Sequence, residues 1–111
     1  MRFMHATNAQ AVDDAPTVEV TFTDNVSGDG LTEFKADWVE VWNSGAQPLT
    51  ANPYHTPADS NDGVVIPAGE RFRFEWNQGD AGPARDHSGY ASVFLVSNGA
   101  GTTTYVTAGA A

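Results

Sequence analysis

Ala36-Asp-Trp-Val-Glu-Val-Trp-Asn-Ser-Gly-Ala46 is the stretch on which the fold turns. Val39 and Val41 alternate with Trp38, Glu40 and Trp42. Side chains along a strand point to opposite faces with period two. The valines therefore belong to a core, and the two tryptophans, with Glu40 between them, belong to the other face. Asn43-Ser-Gly45 supplies a turn, because Asn and Gly tolerate positive φ. Leu31, Phe34, Trp38 and Trp42 also fall at helical spacing. The β-branched valines and the tryptophans favour strand for residues 37–43. Two large aromatics on the second face imply that it is covered, by more of this chain or by a partner.

The same alternation extends outward in both directions. Toward the N-terminus, Thr17-Val-Glu-Val-Thr-Phe-Thr23 puts Val18, Val20 and Phe22 on one face, which is the signature of a half-buried strand. Toward the C-terminus, Arg71-Phe-Arg-Phe-Glu-Trp76 points Phe72, Phe74 and Trp76 inward and Arg71, Arg73 and Glu75 outward. Between them lie a short segment at 46–51, expected at an edge because Pro48 cannot donate to a ladder, and Val64-Val-Ile66. Pro67-Ala-Gly-Glu70 reads as a tight turn with Pro at its first central position. Residues 90–96 are apolar on both faces and read as a central strand. Asn98-Gly99 then signals a hairpin into a last strand at 102–107, with 108–111 as a featureless tail. Residues 52–63 and 77–88 are long polar loops, and 24–30 is a shorter one. Residues 1–16 lack any sustained period and read as an extended arm, either an ordinary unanchored terminus or a segment able to dock on a neighbour through Phe3 and Met4. The expected architecture is all-β: a small antiparallel β-sandwich, Ig-like or jelly-roll-like, over 17–111, preceded by an N-terminal arm over 1–16.

Composition narrows the function classes. A chain of 111 residues is one domain. It has no cysteine, which excludes disulfides and thiolate metal sites. No apolar run is long enough for a helical membrane span. The start, Met1-Arg-Phe-Met-His5, lacks the apolar region of a secretory signal, so the chain reads as a complete, unprocessed product. Fourteen acids against five bases give a net charge of −9. That argues against nucleic acid and against anionic membranes, both of which select basic footprints.

The chemistry-bearing residues are sparse. Asp24, Asp29 and Glu33 flank one loop, and Asp59, Asn61 and Asp62 another, so calcium is a candidate ligand. The first loop departs from the EF-hand order, with Val26 and Gly28 where oxygen donors belong, and turn chemistry accounts for both loops. His5, His55 and His87 are far apart and lack metal spacing. No serine lies in a G-x-S-x-G elbow. The expectation is a non-enzymatic protein without cofactor. Arg71 and Arg73 stand out in so acidic a chain, as contacts for an acidic surface or as cross-strand ion pairs. Trp38, Trp42, Trp76, Tyr54 and Tyr90 offer a second possibility, an aromatic platform for sugars, although Trp76 is in register with core phenylalanines. Tryptophan is also enriched at protein interfaces.

The order of these segments has a family likeness. Val39-Glu-Val-Trp-Asn-Ser-Gly45, Ile66-Pro-Ala-Gly-Glu70, Arg71-Phe-Arg-Phe-Glu-Trp76 and Thr103-Thr-Tyr-Val-Thr-Ala-Gly109 follow one another. In that order, residues 38–109 resemble small β-sandwich virion structural proteins of tailed bacteriophages, of the head-decoration or head-fibre type. The resemblance implies a location on the capsid surface of a virion and the major capsid protein as partner. It also implies a small homo-oligomer such as a trimer. Phe3, Met4, Trp38, Trp42, Arg71 and Arg73 are then the expected contacts. The alternative from another class is a carbohydrate-binding β-sandwich module of a fibre or secreted protein.

Overall fold

The computed structural model describes residues 3–54, 62–76 and 89–110. Nine strands follow in chain order: β1 (Phe3–Ala6), β2 (Gln10–Val12), β3 (Val18–Thr21), β4 (Trp38–Asn43), β5 (Leu49–Asn52), β6 (Val64–Ile66), β7 (Arg71–Glu75), β8 (Ser92–Ser97) and β9 (Thr102–Ala110). Among the described residues there is no helix. The helical alternative for the segment ending at Trp42 gives way to strand, and Leu31 is 81% exposed.

The strands form two antiparallel sheets packed face to face, so the protein is a small β-sandwich. Sheet A runs β1-β9-β4-β7, with β2 also on β9, and sheet B runs β3-β8-β5-β6. Val12, Val39, Val41, Val106 and Ala108 of sheet A meet Val20, Leu49, Ala51, Ile66, Val93 and Leu95 of sheet B in one core. Val20, Val39 and Val41 among them sit at the phase their local alternation dictates. Phe22, Ala36 and Tyr90 complete the core from outside the strands.

Several sequence expectations are corrected. The N-terminal arm is not confirmed, because Phe3–Ala6 and Gln10–Val12 are strands paired with β9. Thr7, Asn8 and Ala9 oppose only Tyr105 and Val106, so a bulge separates β1 from β2. The bulge broke the period that a sequence reading relies on. The presumed tail at 108–110 belongs to β9. The segment containing Pro48 is not an edge, since β5 pairs with both β6 and β8, and its first paired residue is Leu49, beyond the proline. Residues 90–96 are central as expected, because β8 lies between β3 and β5. The Asn98-Gly99 hairpin does not form: β8 and β9 lie in different sheets. The turn at 67–70 carries Gly69 at φ 83°, and Glu70 N–H donates to Pro67 O, which makes Pro67 the corner rather than the first central residue. On β7, Phe74 is buried, but Phe72 is 39% exposed because β7 is the edge of its sheet.

Asn43, expected only as a turn former, is fully buried at the junction of both sheets. Its Nδ2 donates to Gln47 O at 2.7 Å and to Ile66 O at 3.0 Å. Its Oδ1 accepts from Gly45 N at 3.2 Å and from Thr102 Oγ1 at 2.8 Å. Its backbone N–H donates to Glu70 O, and its carbonyl accepts from Gly69 N. All four hydrogen-bonding positions of the carboxamide are thus filled. Gly45 is required there by space, since a Cβ would collide with Thr102.

Candidate interaction surface

The outer face of sheet A is built from cross-strand register. β4 places Trp38, Glu40 and Trp42 outward, opposite Glu75, Arg73 and Arg71 of β7. On its other side the same three residues oppose Gly109, Thr107 and Tyr105 of β9. Directly opposed residues share a face, so all nine lie together.

They cover one another. The Trp42 ring stacks on Tyr105 at 5.1 Å between centroids and 24°. From the β7 side, the Arg71 guanidinium lies 4.6 Å from the Trp42 ring centroid. Trp38 repeats the pattern, with Arg73 at 4.4 Å from its ring. On the β9 side Trp38 lies against Gly109, where a Cβ would sit 2.6 Å from Cζ2 of the indole. Because β7 and β9 flank β4 from opposite sides, each indole is sandwiched between its two neighbours. Among the described residues, the expectation that this face is covered is met by residues of the adjacent strands.

Charge is balanced locally. Arg71 Nη1 lies 3.4 Å from Glu40 Oε1, and Arg73 Nε lies 3.4 Å from Glu75 Oε1. The face therefore sums to zero (two arginines against Glu40 and Glu75) on a chain of net charge −9. Exposed pairs of this kind contribute little each to stability. Their consequence is that this face repels an acidic surface less than the molecule as a whole does.

The expected contact residues are not all brought together. Trp38, Trp42, Arg71 and Arg73 share the face, and Met4, paired with Gly109, borders it. Phe3 is on the other side of β1, stacked on Phe34 at 5.6 Å. Tyr105 and Gly109 were missed by sequence reading. The alternation of the last strand already put Tyr105 out of phase with Val106, but nothing in the chain showed that it would neighbour Trp42. Away from this face, Tyr54 is exposed and meets Tyr90 edge-on at 5.7 Å. Trp76 packs against the core.

The acidic loop at 24–30 uses its carboxylates internally. Asp24 is buried and its Oδ1 accepts from Met4 N and Ser27 N. Asp29 Oδ1 accepts from Leu31 N at 2.9 Å and Thr32 N at 3.2 Å, and these bonds hold its carboxyl below the usual carboxylate range. Among the described residues no group of three or more His, Asp or Glu is placed to hold a metal ion. His5 is buried in β1, with Nδ1 at 2.8 Å from Thr23 O, rather than exposed in an arm. His55, His87, Asp59 and Asn61 lie outside the described residues. Comparison of the chain with protein-family models, curated proteins and solved structures finds no match.

Proposed function

We propose that this chain is a non-enzymatic structural protein of a tailed-phage virion, acting as a head-decoration protein that binds the major capsid protein and stabilises the shell. The motif order over residues 38–109 suggests it. The observation that carries it is the outer face of sheet A, which is aromatic and locally neutral on an otherwise acidic molecule. Aromatic and arginine side chains are the residue types enriched at protein interfaces. Weak docking by each copy suffices on a shell, because many copies on neighbouring subunits act together. The sugar-platform alternative has less support, since stacking on a sugar needs a free ring face and both indoles are sandwiched.

The test is co-sedimentation with purified undecorated shells, together with mass spectrometry of intact virions. The reading expects saturable binding, tens to hundreds of copies per particle, and binding weakened by Trp42→Ala or Arg73→Glu. Absence from every particle, with no binding to shells, overturns it.

A further inference from the structure

Among the described residues the two sheets present four outer edges, and they are not equally protected. Exposed strand edges are blunted by shortness, bulges or covering groups. The β1–β2 edge is interrupted by the bulge at residues 7–9. It is also closed by Asn25, whose side chain donates to Ala6 O and accepts from Ala6 N, both at 2.9 Å. β6 has only three residues and β3 four. β7 has five, without proline or bulge, and among the described residues no strand pairs with its far side.

Its hydrogen-bonding phase is fixed at both ends. Asn43 N–H donates to Glu70 O, and Trp76 N–H donates to Asp37 O. Even-numbered residues from 70 to 76 therefore bond toward β4, and Arg71, Arg73 and Glu75 direct their N–H and C=O groups away from it. We propose that β7 pairs antiparallel with β7 of a second copy across a two-fold axis at Arg73, joining two A sheets into one continuous sheet.

The sequence of the strand favours this register. Arg71 falls opposite Glu75 of the second copy, twice by symmetry, on the outer face. Both side chains are accessible for it, at 59% and 71% exposed. Phe72 falls opposite Phe74 of the second copy in the closely spaced, non-hydrogen-bonded position. That covers Phe72, which is one of the exposed large hydrophobics of the single chain. The two Arg73 side chains meet at the axis, each already stacked on its own Trp38 and beside its own Glu75. A register centred on Phe72 would set Arg71 against Arg73 twice, with no opposite-charge pair. One centred on Phe74 would oppose Arg73 to Glu75 but pair only three of the five strand residues. Centring on Arg73 pairs all five and offsets its one like-charge meeting, at the axis, with two pairs of Arg71 and Glu75. An isologous contact of this kind closes at two copies.

This inference does not depend on the capsid reading, since it is tested on the free protein. Light scattering on the full chain at hundreds of micromolar is expected to give twice 11.8 kDa. Glu75→Arg and Arg71→Glu, each alone, put like charges together and are expected to give monomer. The double swap restores opposite charges and is expected to restore the dimer. Thermal melting verifies that each variant is folded. If a single variant does not fold, amide exchange in the unmodified protein replaces it. Arg71, Arg73 and Glu75 amides are then protected at high concentration and lose at least tenfold protection on dilution. A monomer throughout, a trimer mass, a folded double swap that stays monomeric, or concentration-independent exchange of those amides each overturns the proposal.

Discussion

β4 carries two networks of opposite character within six residues. At its end, Asn43 is buried and bonded at every polar atom to residues of both sheets and two turns. Along its outer face, Trp38, Glu40 and Trp42 sit in partial contact with water, each touching neighbours that also reach solvent. The difference is one of substitution by water. A buried partner that loses its bond has nothing to replace it, whereas an exposed one is rehydrated. The buried knot is therefore a single unit, and the exposed ladder is a set of separable contacts.

The sharpest way to break that contrast is Asn43→Ala. It strands Ile66 O, Gln47 O, Gly45 N and Thr102 Oγ1, and a loss of about 3 kcal/mol or more is expected in chemical denaturation. Trp42→Ala removes the Tyr105 stack and the Arg71 contact together, and an intermediate loss of about 2 kcal/mol is expected. A Trp42 loss equal to that of Asn43 would show that the ladder is cooperative and the contrast false. Gly109→Ala tests the floor beneath Trp38. Its Cβ would force the indole outward, costing about 1 kcal/mol and shifting tryptophan fluorescence to longer wavelength. Arg73→Gln keeps the strand and loses the cation over Trp38, for about 0.5 kcal/mol by the same denaturation curve.

Asp29 is the solvated counterpart of Asn43, with several donors on one oxygen but in full contact with water. Its folded pKa is lowered below the usual 3.8. Its contribution is thus present above that value and lost as pH falls through the lowered one. Asp29→Asn is expected to flatten the acid limb of the stability curve below about pH 4, with the wild-type carboxyl titration followed by NMR.

Tyrosine and glycine on the last strand show why the candidate surface was only half legible. Trp38, Trp42, Arg71 and Arg73 were each readable as outward from local alternation, and each is outward. That Arg71 would cap Trp42, and that Gly109 would lie under Trp38, depends on β9 and β7 flanking β4. The pairing partners are more than twenty residues away in the chain, and no local preference encodes them. The hairpin expected at Asn98-Gly99 failed for a related reason. Turn chemistry permits a tight reversal there, but the core is completed by sending β8 and β9 to opposite sheets.

What the sequence alone determined was phase. Period-two alternation assigned Val39, Val41, Val20 and Phe74 to a core and the charged residues between them to water, because a strand must put successive side chains on opposite faces. The absence of cysteine and the acid excess were likewise complete in the sequence. Tertiary structure decided the adjacency. It turned residues 3–12 from an arm into an interrupted edge, made Asn43 a junction as well as a turn residue, and left β7 as the longest continuous edge strand among the described residues. Hydrogen-bonding partners between strands are chosen by the whole chain at once, to bury one shared core, and only that choice fixes which side chains meet.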